Sequence, residues 1–385
     1  MTRPAAPRVH DIDALRGFAL LGIFAVNITF MASAYPANLV DDPAFAAPLD
    51  DTARFVVAAL FSMKFYLLFS FLFGYSFVFQ MEAAQRAGQG FGGRMLRRIG
   101  GLFLIGAASL ILLGGDILTT YALAALVLLA MHRVRDVVAL RTACGIYAVV
   151  VTSLVTSALF LDRSAFVPAH DEALVNAAAQ TQGMLGPFAD IVRGNIDGLG
   201  FHAVQAISLQ GPTALAMFLL GMVVARRGVL ATLTGNEPVL RLIQLIGFPI
   251  GLAGGVTYAA LGAHADTLAT AVSVATAPFL AAAYLATLVR AMHSPRIAWL
   301  RSLLAPAGRV ALTNYLMQAL IGVALFNGIG LGLAGQMSPP LLLAMTVAVF
   351  MVQVAASIWW LRSHRYGPAE YLLRWITDWR RPVRR

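Results

Sequence analysis

The sequence predicts an all-α, polytopic membrane protein, a bundle of about ten transmembrane helices with both termini in the cytoplasm. Three observations carry that expectation. Hydrophobic residues make up 59% of the 385 residues and charged residues only 12%, with a mean hydropathy of +0.77; soluble domains carry about 25% charged residues. Apolar runs recur at 15–34, 55–80, 99–113, 117–131, 137–161, 201–225, 240–262, 267–291, 308–333 and 340–361, most of them near the ~20 residues that cross a bilayer. Threading those runs with the N-terminus inside puts 24 of the 27 arginines on one side and leaves Arg54, Arg163 and Arg193 on the other. Eleven of the 18 acidic residues fall on the opposite side, Asp41, Asp42, Asp50 and Asp51 among them. This is the asymmetry of a cytoplasmic face, and the chain reads as one membrane domain, 1–385.

The same distribution excludes other classes. A net charge of +10 suggests nucleic acid at first, but the basic residues sit between apolar segments, with no long basic tract and no zinc-ligand spacing. A single Cys144 excludes an intramolecular disulfide, and the seven histidines (10, 132, 170, 202, 264, 293 and 364) have no metal-ligand spacing. No permanently bound cofactor is expected.

The first run opens with HDIDALRGFALLGIFAVNIT, residues 10–29. Asp13 and Arg16 are three apart and share a helix face. Asn27 lies about 16 Å farther along the helix, near mid-bilayer. A charged pair at the rim and one amide at depth suit a polar site, though Asp13 also suits a helix-start cap and Arg16 an interfacial anchor. Ala32-Ser33-Ala34 resembles a signal-peptidase site, but the run from Phe18 to Ala34 exceeds an h-region of about 7–15 residues, and cleavage is not expected.

The second run holds Lys64, the only lysine, about 15 Å beyond Arg54. A buried cation must snorkel, pair with a rim acid such as Asp116, or meet an anionic ligand. The third and fourth runs are short and are joined by Gly114-Gly115-Asp116. At that outer turn Asp116 stands near Tyr121 and serves either as a helix N-cap or as a substrate contact. The one sizeable extramembrane stretch, 162–200, suggests two surface helices, at 172–182 and 188–196.

His202 opens the sixth run on the outer side and is the imidazole best placed for proton transfer. In the ninth run Asn314 and Gln318 are four apart on one face, and Gln353 and Ser357 repeat the pattern in the tenth. Such amides line a substrate path or bond helices together. The tail from Gly367 to Trp379 spaces Tyr371, Leu372, Trp375, Ile376 and Trp379 helically among arginines, the pattern of an interfacial amphipathic helix.

Five ordered motifs, DALRGFALLGIFAVNI, KFYLLFSFLFGYSF, GGDILTTYAL, GRVALTNYLMQAL with FNGIGLGLAGQ, and GPAEYLLRWIT, resemble the YeiB family of bacterial membrane proteins carrying the DUF418 domain. The likeness runs from about 11 to 380, with N-terminal helices over 11–160 and a DUF418-like region over 201–380. That family is grouped with transmembrane acyltransferases of the heparan glucosaminide N-acetyltransferase type, which move an acyl group from cytosolic acyl-CoA to an acceptor across the membrane. The resemblance implies acyl-CoA as donor, a lipid or sugar acceptor, and a binding role for Arg16, the position of the arginine in the broader group's R-x10-H pattern. Asn27 takes the histidine position, and no histidine follows between Ile28 and Asn38, which leaves His202 or His264 to supply a base.

The candidate catalytic residues are therefore His202 and Asn27. The candidate substrate contacts are Asp13, Arg16, Lys64, Asp116, Tyr121, Asn314 and Gln318. The other class open to this sequence is a transporter of a small, anionic or lipid-linked solute, with Lys64 favouring an anion; the lack of a mid-membrane carboxylate argues against proton coupling. No nucleic-acid partner is expected, and the lipid bilayer is the surrounding phase.

Overall fold

The computed structural model describes residues 7–86, 90–115, 117–162, 167–230 and 233–379. Among the described residues there are α-helices and short 3-10 or π turns, and no strand. In chain order the helices are α1 (Pro7–Ala32), α2 (Pro48–Val56), α3 (Lys64–Arg86), α4 (Phe91–Leu113), α5 (Leu118–Ala130) and α6 (Asp136–Phe160). Then come α7 (His170–Gly183), α8 (Phe188–Asp197), α9 (Leu199–Gln205), α10 (Gly211–Arg226) and α11 (Leu233–Ala260). The last five are α12 (Thr267–Met292), α13 (Trp299–Arg309), α14 (Ala311–Phe326), α15 (Pro339–Leu361) and α16 (Pro368–Asp378).

Eight helical segments among the described residues are long and apolar enough to cross a membrane, and nine if α13 and α14 are taken as one bent span. The remaining apolar run forms α5, whose 13 residues rise only about 20 Å. It is the short return arm of a hairpin with α4. The third run lengthens at its start: α4 begins at Phe91, so Arg94, Arg97 and Arg98 lie within the helix. Both expected surface helices form, as α7 and α8, and the tail helix forms as α16.

Two runs expected to be continuous are broken. A π-helical turn at Val57–Phe61 follows α2; Ser62 then leaves the helical region with ψ 136° and Met63 takes φ 68° before α3 starts. The ninth run bends by 75° between α13 and α14, where Val310 has φ −110° and ψ 41°. This run also ends early. α14 stops at Phe326, and the residues after it turn over the acid-rich end, where Gly335 N–H donates to the Ala32 carbonyl at 2.9 Å.

With lipid as apolar as a leucine side chain, helices in a membrane gain most from close backbone approach. The α1–α13 crossing shows it: a Cβ on Gly17 would lie 2.3 Å from the Leu304 carbonyl oxygen, and one on Gly308 would lie 1.7 Å from that of Asp13. The buried core is built around α1, α3, α10, α12 and α13. α6 and α11 stand at the edge and expose Val149, Leu159, Leu245 and Leu242. Gly308→Val should therefore separate α1 from α13 and destabilise the fold by about 1–3 kcal/mol or more. Gly145→Ala, with open space around its site, should be nearly neutral. Thermal unfolding of the detergent-purified variants, followed by size-exclusion profile, checks both.

Candidate functional site

The bend at Val310 and the short α4–α5 hairpin leave space between them. A cavity of about 520 Å³ opens at the arginine-rich end of the bundle, lined by residues of α1, α3, α4, α5, α13, α14 and α16. Among the described residues its lining has five arginines, Arg16, Arg94, Arg98, Arg309 and Arg374, against two carboxylates, Asp13 and Glu370. Its inner part is apolar and aromatic, with Ile23, Phe69, Phe73, Leu102, Ile117, Leu118, Tyr121 and Tyr315. Arg16 and Ile23, and likewise Phe69 and Ser76, lie seven residues apart in the lining, about 10 Å along the helix axes.

Both carboxylates are engaged. Asp13 accepts from Arg16 at 3.0 Å, and the second amino group of Arg16 donates to the Ser76 hydroxyl, which in turn donates to the Leu72 carbonyl. Glu370 sits at the start of α14. Its Oε1 accepts from the backbone N–H of Leu312 (2.7 Å) and Thr313 (3.1 Å), and its Oε2 from the Thr313 hydroxyl at 2.5 Å. The sharp bend frees those donors, and a carboxylate at a helix N-terminus satisfies them and the helix dipole together. Gly367 has to be glycine for this: a Cβ there would lie 2.3 Å from Glu370 Oε2.

The arginines are engaged unequally. Arg94 pairs with Asp378 at 2.8 Å, and Arg97, its neighbour, donates to the Thr377 carbonyl at 2.9 Å, so α16 is fastened along α4. Arg309 donates to the Arg365 carbonyl at 2.9 Å. Arg374 lies over the Tyr366 ring at 4.3 Å. Among the described residues Arg98 has neither a hydrogen bond nor an ion pair. The cavity mouth thus holds guanidinium groups with spare donors in a half-buried setting, the arrangement that takes up phosphate or carboxylate.

The inner end is closed by hydrogen bonds between helices. Ile117 N–H donates to the Tyr315 hydroxyl at 3.2 Å. The Tyr121 hydroxyl donates to the Tyr66 carbonyl at 2.9 Å and lies 2.7 Å from the Ser70 hydroxyl. Beyond Ile117 the α4–α5 turn is held by α8: Asn195 donates to the Ile111 carbonyl at 3.0 Å and packs on Gly114, whose φ is 82°.

Of the described residues singled out from sequence, Asp13, Arg16 and Tyr121 line this cavity and Asn27, Lys64, His202, Asn314 and Gln318 do not. Lys64 is fully buried elsewhere and, among the described residues, is paired with no acid: its ammonium donates to the Ala58 carbonyl at 3.0 Å and lies 5.7 Å from the centre of the Tyr258 ring. The break in the second run explains this. A π turn that stops at mid-span leaves carbonyls without helical donors, and Lys64 takes one while the Tyr284 hydroxyl takes that of Leu60 at 3.1 Å.

Asn314 and Gln318 belong to a ladder that joins α14 to α13 and α15. Asn314 donates to the Ala307 carbonyl and the Ser357 hydroxyl, Gln318 to Gln353, and Gln353 back to the Asn314 carbonyl, each at 3.0 Å. Asn27 is half-buried, farther along α1 than the cavity reaches. His202 lies against Phe201 in α9 and is not among the cavity-lining residues. His264 pairs with the Tyr258 hydroxyl at 2.5 Å near the acid-rich end; burial pushes its imidazole down, with Asp41 pulling part of the way back. Asp116 lies outside the described residues.

Sequence reasoning counted Arg94, Arg98, Arg309 and Arg374 only towards topology and did not single out Glu370 or Ser76. One signal was present. After Asp266 the chain has only two acids, Glu370 and Asp378, both in an arginine-rich tail, and each makes a contact that fixes α16 as a wall of the cavity. Glu370→Gln should expose the start of α14, at a loss of about 1–3 kcal/mol. Amide exchange at Leu312 and Thr313 should speed up about tenfold or more, while the Asn314–Gln353 region stays protected.

Comparison with known proteins places these motifs. A family model described as "Protein of unknown function (DUF418)" matches residues 224–380. The uncharacterized protein YxaH of Bacillus subtilis (strain 168) is 31% identical over 391 residues, covering 96% of this chain and 94% of that protein. The uncharacterized YeiB of Escherichia coli (strain K12) is 29% identical, covering 95% of each chain. An uncharacterized 39.9 kDa protein from the amylase 3′ region of Bacillus acidopullulyticus is 26% identical, covering 96% and 94%.

Proposed function

This chain belongs to the YeiB family of DUF418 proteins, and from that membership and its cavity we propose a membrane-embedded acyltransferase that takes its acyl group from a cytosolic acyl-CoA. The observation that carries the reading is the pairing of an arginine-rich mouth with an apolar, aromatic interior. An acyl-CoA has the complementary shape: phosphates at one end, an uncharged pantetheine arm and an acyl chain at the other. Arg98 and Arg374 would hold phosphate oxygens, and the arm would run past Arg16 and Ser76 towards Phe69, Phe73 and Tyr121. The arginine bias puts that mouth on the cytoplasmic side, where acyl-CoA is.

Transfer joins an acceptor hydroxyl or amine to the thioester carbonyl carbon and breaks the C–S bond; the acceptor's proton passes by way of a base to the departing thiolate. Glu370 is committed to three donors, so the cavity carboxylate that can take that proton is Asp13, and Arg16 beside it suits the oxyanion that develops. His202 and Asn27, the candidates from sequence, are not among the residues that line the cavity. The acceptor is a lipid or sugar.

A transporter is the second reading, favoured by the two discontinuous spans at Ser62–Met63 and Val310, since broken helices recur where transporters hold solutes. Titration of purified protein with acetyl-CoA and with a long-chain acyl-CoA separates the two. Wild type should bind. The Arg98→Gln/Arg374→Gln variant should bind at least about tenfold more weakly, two charge-assisted bonds being worth that or more, and Asp13→Asn should retain binding and lose turnover. Absence of acyl-CoA binding, with labelled solute taken up into proteoliposomes, would establish the transporter instead.

A further inference from the structure

A second cavity lies at the same end, on the opposite side of Asp13 and Arg309, which line both. It measures about 560 Å³ and lies between α1, α13 and α15. We propose that it is a binding site for an anionic phospholipid of the cytoplasmic leaflet, with the headgroup phosphate on Arg301, Arg309 and Arg362 and an acyl chain along Pro306, Ile358 and Leu361. This site is independent of the acyl-CoA reading.

Charge and depth both support it. Among the described residues three arginines and one acid, Asp13, line the crevice. Asp13 is paired with Arg16 at 3.0 Å, so this one carboxylate is set against four guanidinium groups. The next acid, Asp11, lies 3.5 Å from Arg301 and 3.4 Å from His293 and is shared between the two. Arg309 uses one amino group on the Arg365 carbonyl and keeps its other donors. Basic pockets between helices on the cytoplasmic side select acidic headgroups.

Two tryptophans fix the level. Trp299, at the start of α13, and Trp359, beside Ile358 on α15, are 60% and 67% exposed, and exposed tryptophans on a membrane protein settle at the headgroup boundary. The apolar wall is continuous with the outward face of α15, where Met351 and Val352 are exposed. A soluble phosphate would use the arginines and leave that wall empty. A diacyl lipid uses both.

Native mass spectrometry of the detergent-purified protein tests the assignment, with phosphatidylglycerol, phosphatidylcholine and inorganic phosphate as probes. Wild type should retain phosphatidylglycerol in preference to phosphatidylcholine, and millimolar phosphate should not displace it. Arg301→Gln/Arg362→Gln should lower that retention at least about tenfold, since each surface arginine contributes appreciably to acidic-lipid binding. Arg362 is exposed, so Arg362→Glu alone gives a second variant with little demand on folding and should act in the same direction. Arg98→Gln, in the other cavity, should retain the lipid as wild type does. Equal retention of phosphatidylcholine, undiminished retention by the crevice variants, or loss in Arg98→Gln would each overturn the proposal. Displacement by phosphate would replace it with a soluble-anion site.

Discussion

The arginine-rich end depends on how closely α1 and α13 approach. Gly308 meets the Asp13 carbonyl and Gly17 meets that of Leu304, so the two helices touch backbone to backbone. That contact fixes Asp13 and Arg309 between the two cavities. α13 then cannot continue straight into α14 along α1, and the chain bends by 75°. The bend exposes the first N–H groups of α14, and Glu370 reaches from α16 to accept them. One close crossing thus determines where the span breaks, what closes the break and which helix walls the cavity.

Elsewhere the constraint is the satisfaction of polar groups where water is scarce. Lys64 and Tyr284 take carbonyls released by the π turn, and the amides of Asn314, Gln318 and Gln353 bond one another across helices. These residues look functional in a sequence because a polar side chain in an apolar run is costly. In the structure they are occupied in holding the bundle together. The polar groups with spare capacity are at the rim, where arginines outnumber the acids able to pair with them.

That excess has two consequences. Arginine on one side of a membrane sets topology, and an arginine that the fold then leaves beside a cavity keeps donors that suit an anion. Arg94 ends in an ion pair with Asp378, while Arg98, one helical turn on, faces the cavity without such a partner. Position along the helix cannot separate the two, because the distinction rests on α16, which comes from almost 280 residues farther along the chain.

The sequence by itself determined the class of the molecule: an all-helical bundle in lipid, the extent of most helices, the two surface helices at 170–197, the amphipathic tail and the membership of the YeiB family. Hydrophobic run length and helical spacing are local properties, and the physics that reads them is local. Asp13, Arg16 and Tyr121, singled out from the sequence, do line the cavity, because a polar group on an apolar helix needs a place away from lipid. Tertiary structure decided the rest. It placed Lys64 on a carbonyl of a broken span, Asn314 and Gln318 in a ladder, and His202 and Asn27 away from the cavity. It also gathered Arg98, Arg309, Arg374 and Glu370 from α4, α13 and α16 around one mouth. Whether a charge is paired, buried or free depends on what a distant segment brings beside it, and run length and helical spacing record only near neighbours.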